Sequence, residues 1–242
     1  MMHIYYMKLS SDCSYERSLA LLYGEEMNIV IPGGREELYQ CLPQERKEAV
    51  DRARNESIAR KRVYTGAFLQ HILAQELGVP MEQLRYAYNQ WGKPELNKDG
   101  MLGSYIYDDM VKQRICNLHF NLSHSGEYVV LVVSDRLVGI DVEHKTKGYD
   151  TLAKRCFCKE EYEDIMNAGD EEAQRKRFLE YWTMKEAYIK CVGEGMRIPL
   201  NSFLVQRAGD MLSVASNAGR MESCTLWLDS EYCVSVCSTT DY

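Results

Sequence analysis

The sequence predicts an α+β fold, and three observations predict it. Apolar, strand-like runs bounded by turn residues occur at 127–133 (EYVVLVV) and 137–143 (LVGIDVE). Two longer segments, 56–77 and 171–192, place their apolar residues at helical spacing instead. The run EYVVLVV also returns as EYCVSVC at 231–237, identical at four of seven positions and 104 residues on, an echo that permits two similar halves.

In chain order, residues 2–7 (HIYYMK) read as a short strand. Over 56–77, Ile58, Val63, Ala67, Phe68, Ile72, Leu73 and Leu77 form a helical stripe, and Gly78 and Pro80 stop it. Residues 97–116 are turn-rich without a clean period and read as loop. The strands at 127–133 and 137–143 follow, with Asp135-Arg136 as a short hairpin-like link. Residues 159–167 and 171–192 read as helices, the second carrying Phe178, Tyr181, Tyr188, Ile189 and Val192 on one stripe. Residues 203–237 read as further strands with polar turns.

Composition bounds the function. The chain has 242 residues, 45% hydrophobic and 27% charged, ordinary for a globular protein with a real core. A net charge of −7 argues against nucleic-acid binding by bulk electrostatics. Nine cysteines, an odd number with no CxxC pair, exclude a zinc ribbon and fit reduced thiols in a cytoplasmic protein. No signal-peptide apolar region opens the chain, and the longest strongly apolar run, 128–133, falls far short of the roughly 20 residues a membrane helix needs.

The chemistry concentrates in a few short stretches. Asp141 and Glu143 lie two apart on a strand, hence on one face with Cα atoms about 6.6 Å apart. Like charges so close either face solvent or converge on a cation, and hard oxygen ligands suit Mg²⁺ or Mn²⁺. Glu186 and Lys190, in WTMKEAYIK, lie four apart on one helix face that Trp182 makes unlike plain surface. A third carboxylate beside a lysine fits a metal site that holds a phosphate or pyrophosphate. Ser123, His124 and Ser125, in FNLSHSG, form a polar turn able to offer donors to an anion. Lys93 sits in the WGKP turn, and Arg60-Lys-Arg62 lies on the first long helix.

Taken together, WGKPEL, FNLSHSGEYV, VGIDVEHK, KRCFCKEEY and YWTMKEAYIK resemble the Sfp-type 4′-phosphopantetheinyl transferases, over roughly residues 85–200 and in that family's order. The resemblance implies two similar halves, 1–135 and 136–242, each a small antiparallel sheet packed on a long helix. The first half would contact the coenzyme A nucleotide and 3′-phosphate; the second would hold the metal site and dock the carrier. The implied activity moves the phosphopantetheine arm of coenzyme A onto a serine of an apo acyl or peptidyl carrier protein and releases adenosine 3′,5′-bisphosphate. By the same resemblance Asp141, Glu143 and Glu186 match the Mg²⁺-binding acids, with Glu186 also a general-base candidate. Lys190 matches the lysine on the phosphates, and Ser123 and His124 match residues at the 3′-phosphate. Lys93 matches a residue of the nucleotide site, Arg62 an arginine facing coenzyme A, and Arg46 or Lys47 a basic element matched only loosely by Pro43-Gln-Glu-Arg-Lys47. The implied form is a cytoplasmic monomer with neither nucleic-acid nor membrane partners. A hydrolase of a nucleotide pyrophosphate, using the same acids and lysine, and a binding module without chemistry are the alternatives.

The chain departs from the family pattern in the long segment between Lys93 and Ser123 and at Ala67, after Gly66. Between His144 and Lys159 lie Lys145, Lys147, Lys154, Arg155 and Lys159 against Asp150 alone, a basic patch in an acidic chain that is expected to steer an acidic carrier.

Overall fold

The computed structural model describes residues 2–10, 15–22, 25–31, 33–103, 108–145, 148–215 and 221–240. Its first half runs β1 (Met2–Leu9), β2 (Tyr15–Leu22), β3 (Glu25–Ile29), α1 (Arg35–Gln40), α2 (Gln44–Asp51) and α3 (Glu56–Leu77). It continues through β4 (Tyr86–Tyr88), β5 (Pro94–Leu96), α4 (Lys98–Leu102), α5 (Asp109–Asn117), β6 (His119–Ser125) and β7 (Tyr128–Ser134). The second half runs β8 (Val138–His144), α6 (Tyr149–Cys156), α7 (Lys159–Met166), α8 (Glu171–Val192), β9 (Leu204–Ala208), β10 (Met211–Ala215), β11 (Met221–Trp227) and β12 (Tyr232–Thr239).

All strand pairs are antiparallel. One sheet has the order β3-β2-β1-β7-β6, another β11-β12-β8, and β4-β5 and β9-β10 are separate hairpins. Alternation along the strands splits their side chains between two interiors. Tyr5, Met7 and Leu9 of β1 pack with Val129, Leu131 and Val133 of β7 under α3. The opposite faces, with Ile4, Tyr6, Val130 and Val132, meet Val138, Ile140, Val142, Val234 and Val236 of the second sheet. Cys233 and Cys237 of β12 then pack under α8. The layers are therefore helix, sheet, sheet, helix, and the echoed strands β7 and β12 bring Tyr128 and Tyr232 together, ring centroids 4.8 Å apart.

The long helices have the bounds their periodicity predicts. Asn55 and Asp170 cap α3 and α8 by accepting from Ile58 and Ala173 amides, and both helices end on a left-handed glycine, Gly78 and Gly193. Three expectations need correction. Residues 97–116 are not loop: α4 and α5 lie there, started by Asn97 and Asp108 side-chain caps, with residues 104–107 outside the described ones. FNLSHS is not a turn but strand β6, and the turn begins only at Gly126. Asp135-Arg136 is no hairpin link, because β7 and β8 belong to different sheets and the connection passes from one to the other. Eight cysteines are free thiols, and Cys13 lies outside the described residues.

Candidate functional site

The site forms where the two sheets meet. Strand β6 runs alongside β8, joined to it through side chains: Asn121 accepts from the Ile140 amide at 2.9 Å, Ser123 Oγ donates to Asp141 Oδ1 at 2.9 Å, and Ser125 Oγ donates to Glu143 Oε2 at 2.9 Å. The partners advance in the same direction along both strands, so β6 and β8 are parallel neighbours.

On β8, Val138, Ile140 and Val142 point into the inter-sheet core, so Gly139, Asp141 and Glu143 face α8. Gly139 fixes how close α8 comes. A Cβ there would lie 2.1 Å from the Ala187 carbonyl oxygen and 2.3 Å from the Cys191 nitrogen, so only glycine lets the helix backbone lie on the strand. That approach puts the end of Lys190 over the acids. Its Nζ donates to Asp141 Oδ1 at 2.6 Å and to Ser123 Oγ at 2.9 Å.

The electrostatics are unrelieved. Asp141 is 3% exposed, and its Oδ2 is buried with no hydrogen-bond partner. Burial raises the Asp141 carboxyl above its ordinary value despite Lys190 and Ser123. Burial and then repulsion from Asp141 raise Glu143 and Glu186 as well. Lys190 is thus the ammonium that acts on all three carboxyls, while among the described residues no three such side chains are arranged as a ready metal site.

Alternation along β6 also separates two residues that are adjacent in sequence. Ser123 turns to the acids, whereas Leu122 and His124 turn to a cavity of about 390 Å³ lined also by Arg46, Lys61, Arg62 and Thr65. The cavity is basic. Partial burial, and then Lys61, hold the His124 imidazole below its ordinary value. Lys61 donates to the Gly126 carbonyl at 2.8 Å and Arg62 to that of Ala49. Thr65 Oγ1 is buried without a partner. Gly66 brings α2 against α3 here, its missing Cβ replaced by Leu42 and by the Arg46 stem.

The structure thus gathers Asp141, Glu143, Glu186, Lys190 and Ser123 in one cluster, and His124, Arg46 and Arg62 in the adjoining cavity. Lys93 joins neither. Its ammonium donates to the carbonyls of Lys190 at 2.7 Å and Val138 at 3.3 Å, behind the cluster. Lys61 belongs to the Arg60-Lys-Arg62 stretch singled out in the sequence, but Thr65 carried no signal there, nor did the ion pair behind α8. Lys185 and Glu161, 0% and 1% exposed, pair at 2.8 Å. Lys185 also donates to the Leu200 and Phe203 carbonyls, and Glu161 accepts from the Cys158 and Val205 amides. No single-sequence signal pairs residues 24 positions apart, although Lys185 sits inside WTMKEAYIK beside Glu186.

Of the predicted basic patch, Lys145 is engaged by Glu172 and by Glu231 at 3.7 Å and lies over the Trp227 ring. Lys159 pairs with Glu163 at 3.6 Å, and Lys147 lies outside the described residues. Lys154 and Arg155 stand exposed on the last turn of α6.

Comparison with known proteins bears on both halves. Residues 137–237 match the model of the 4′-phosphopantetheinyl transferase superfamily, and residues 35–136 that of the 4′-phosphopantetheinyl transferase N-terminal region. The chain is 32% identical to 4′-phosphopantetheinyl transferase psf-1 of Bacillus pumilus, over 84% of this chain and 81% of that one. It is 29% identical to a 4′-phosphopantetheinyl transferase of Bacillus subtilis over 90% of this chain and 91% of that one. It is 30% identical to 4′-phosphopantetheinyl transferase Sfp of Bacillus subtilis strain 168, over 71% and 69% respectively.

Proposed function

This chain belongs to the 4′-phosphopantetheinyl transferase superfamily and is a transferase of that class; on that premise we propose that it moves the phosphopantetheine arm of coenzyme A onto a serine of an apo carrier protein. The observation that carries the assignment of parts is the convergence of Asp141, Glu143, Glu186 and Lys190, from β8 and α8, beside a separate basic cavity. The two chemistries suit the two ends of one substrate. Arg46, Lys61, Arg62, His124 and the partnerless Thr65 hydroxyl suit the 3′-phosphate end of coenzyme A. The acid cluster with its lysine suits the pyrophosphate. The first half, 1–135, would then carry the nucleotide contacts and the second, 136–242, the reacting ones.

A divalent cation fits the acids. The orphan Asp141 Oδ2 and the three raised carboxyls mark missing positive charge. Among the described residues no ready-made cage of three such ligands exists. Mg²⁺ in general is held by one or two carboxylates and completes its shell with waters and phosphates. Asp141, Glu143 and Glu186 would hold it, and it would supply charge neutralisation on the pyrophosphate oxygens. Lys190, whose ammonium reaches Ser123 and Asp141, would stabilise the charge that grows on the leaving bisphosphate. Glu186, whose carboxyl is raised by burial, is suited to accept the proton of the carrier serine as its oxygen attacks the β-phosphorus. No helix among the described residues is long and apolar enough to cross a membrane. The cytoplasmic, monomeric form is proposed on the family resemblance alone.

The test is incubation with coenzyme A, Mg²⁺ and an apo carrier, followed by mass spectrometry of the carrier. One added phosphopantetheine, matched by released adenosine 3′,5′-bisphosphate, supports the reading. Bisphosphate without carrier modification would convert it to hydrolysis, and neither product would leave a binding module.

A further inference from the structure

Helix α8 ends at Val192, and the carbonyls of its last turn have no partner within the helix. The Gly193 amide returns to Ile189 at 2.9 Å, which leaves the carbonyls of Lys190 and Cys191 to be satisfied from outside. They are satisfied from the other half of the molecule. Lys93, in the turn between β4 and β5, donates from Nζ to the Lys190 oxygen at 2.7 Å and the Cys191 oxygen at 3.5 Å, and also to Val138 of β8 at 3.3 Å. Asn89 of the same turn donates to the Gly193 oxygen at 3.0 Å, and its own Oδ1 accepts from the amides of Trp91 and Lys93, which holds the turn in shape. Trp91 takes the Arg197 guanidinium over its ring, 4.0 Å from the centroid.

From this arrangement we infer that the β4–β5 hairpin is a clasp on the end of α8, and that Lys93 is a positioning residue for Lys190. It deepens the proposed function and rests on it. Residue 190 is held at both ends: its ammonium by Asp141 and Ser123, its carbonyl by the Lys93 ammonium. A positive charge also belongs at a helix C-terminus, where the aligned peptide dipoles leave negative potential. Here the charge comes from a segment 97 residues upstream, so the helix end and the first half are tied together at the site. With its donors directed at three backbone carbonyls, the Lys93 side chain is turned away from the basic cavity, which it does not line. Burial holds that ammonium below its ordinary value, as expected of a charge enclosed between two elements.

The test compares Lys93→Met, which keeps the stem and loses the donors, with Lys93→Arg. For Lys93→Met, kcat should fall roughly 10- to 100-fold, the usual effect of losing an outer partner that orients an active-site group, with KM for coenzyme A nearly unchanged. Lys93→Arg should recover part of the loss. Hydrogen exchange should show amides in the last turn of α8 losing protection in Lys93→Met while the first turns keep theirs. A raised KM for coenzyme A with kcat intact would overturn the inference in favour of a direct nucleotide contact, and unchanged kinetics and exchange would overturn it outright. If Lys93→Met does not fold, Asn89→Ala removes one tether, and the same pattern at smaller amplitude is required of it. Absence of transfer by the unsubstituted protein would instead strike the proposed function itself.

Discussion

The two halves place the same frame around different interiors. If Tyr128 of β7 is matched to Tyr232 of β12, strand pairing sets Tyr5 and Met7 of β1 at the positions of Asp141 and Glu143 of β8. Counted from the first residue of each 22-residue helix, Glu186 and Lys190 of α8 stand where α3 has His71 and Gln75, and Lys185 where α3 has Gln70. In the first half the helix–sheet interface is mainly apolar core, with Met7 fully buried, and its polar groups are the neutral Gln70 and, towards one end, Tyr5 donating to Glu76. In the second it is interrupted by three carboxyls, each made a poorer acid by burial. The difference teaches where stability and chemistry separate: the first half packs, and the second holds charges that the fold alone does not neutralise.

The largest effect should come from making the second half resemble the first at one atom. Asp141→Asn keeps the volume and removes the charge that binds Lys190 and faces the proposed cation. Transfer should drop by roughly 10²–10³-fold, the usual size of losing one key electrostatic group. Turnover near that of the unsubstituted enzyme would mean that the acid face of β8 is not where the chemistry happens.

Next in size is a change of stability. Gln70 in the first half is a neutral buried group, hydrogen-bonded by the Tyr86 hydroxyl at 3.1 Å. Its counterpart Lys185 is a buried charge whose partner Glu161 also ties down the Cys158 and Val205 amides. Lys185→Met leaves Glu161 buried and uncompensated, and should cost about 3–5 kcal/mol in denaturant unfolding. Lys185→Met with Glu161→Gln together should recover much of that. If the single substitution costs less than about 1 kcal/mol, the pair is not what seats α8 on α7 and β9.

The same comparison shows what the sequence could carry. The acids were legible because a strand's period of two and a helix's near four are local rules: Asp141-x-Glu143 and Glu186-x-x-x-Lys190 reveal their faces without any tertiary knowledge. The separation of Ser123 from His124 was hidden. In His119-Phe-Asn-Leu-Ser-His-Ser125 the buried face is itself polar, so the alternation did not look like a strand. α4 and α5 are short, and their signals were the caps Asn97 and Asp108, not a period. That β8 pairs with β12 and not with its neighbour β7 is decided by the packing of whole sheets, and so is the reach of Lys93 across to α8.

A smaller effect of opposite sign tests the claim of stored repulsion. Glu186→Gln should impair transfer yet stabilise the metal-free fold, by about 0.5–2 kcal/mol, the usual range for a single stabilising substitution. The pH dependence has a definite sign. An acid whose carboxyl is raised on folding binds protons more tightly in the folded state, so stability falls as pH rises from its ordinary value of 4.5 through the raised one. Measured in the presence of a chelator, the fall over that window should be shallower in Glu186→Gln than in the unsubstituted protein. Equal slopes would show that Glu186 carries no such burden.

The smallest effect concerns the outside of the two halves. In the first, α2 turns Arg46 inward, to the cavity. In the second, α6 leaves Lys154 and Arg155 exposed on its last turn, with no ion pair given to either among the described residues. Lys145 and Lys159, by contrast, are engaged by nearby acids, so among the described residues the basic patch reduces to these two side chains. Exposed charges steer an encounter more than they tighten a complex. Reversing both, Lys154→Glu with Arg155→Glu, should therefore raise KM for an acidic carrier several-fold, leave kcat within about two-fold, and flatten the salt dependence of kcat/KM. KM for coenzyme A should not move, because neither residue lines the basic cavity. An unchanged carrier KM would show that α6 is solvated surface and that the carrier approaches across another face.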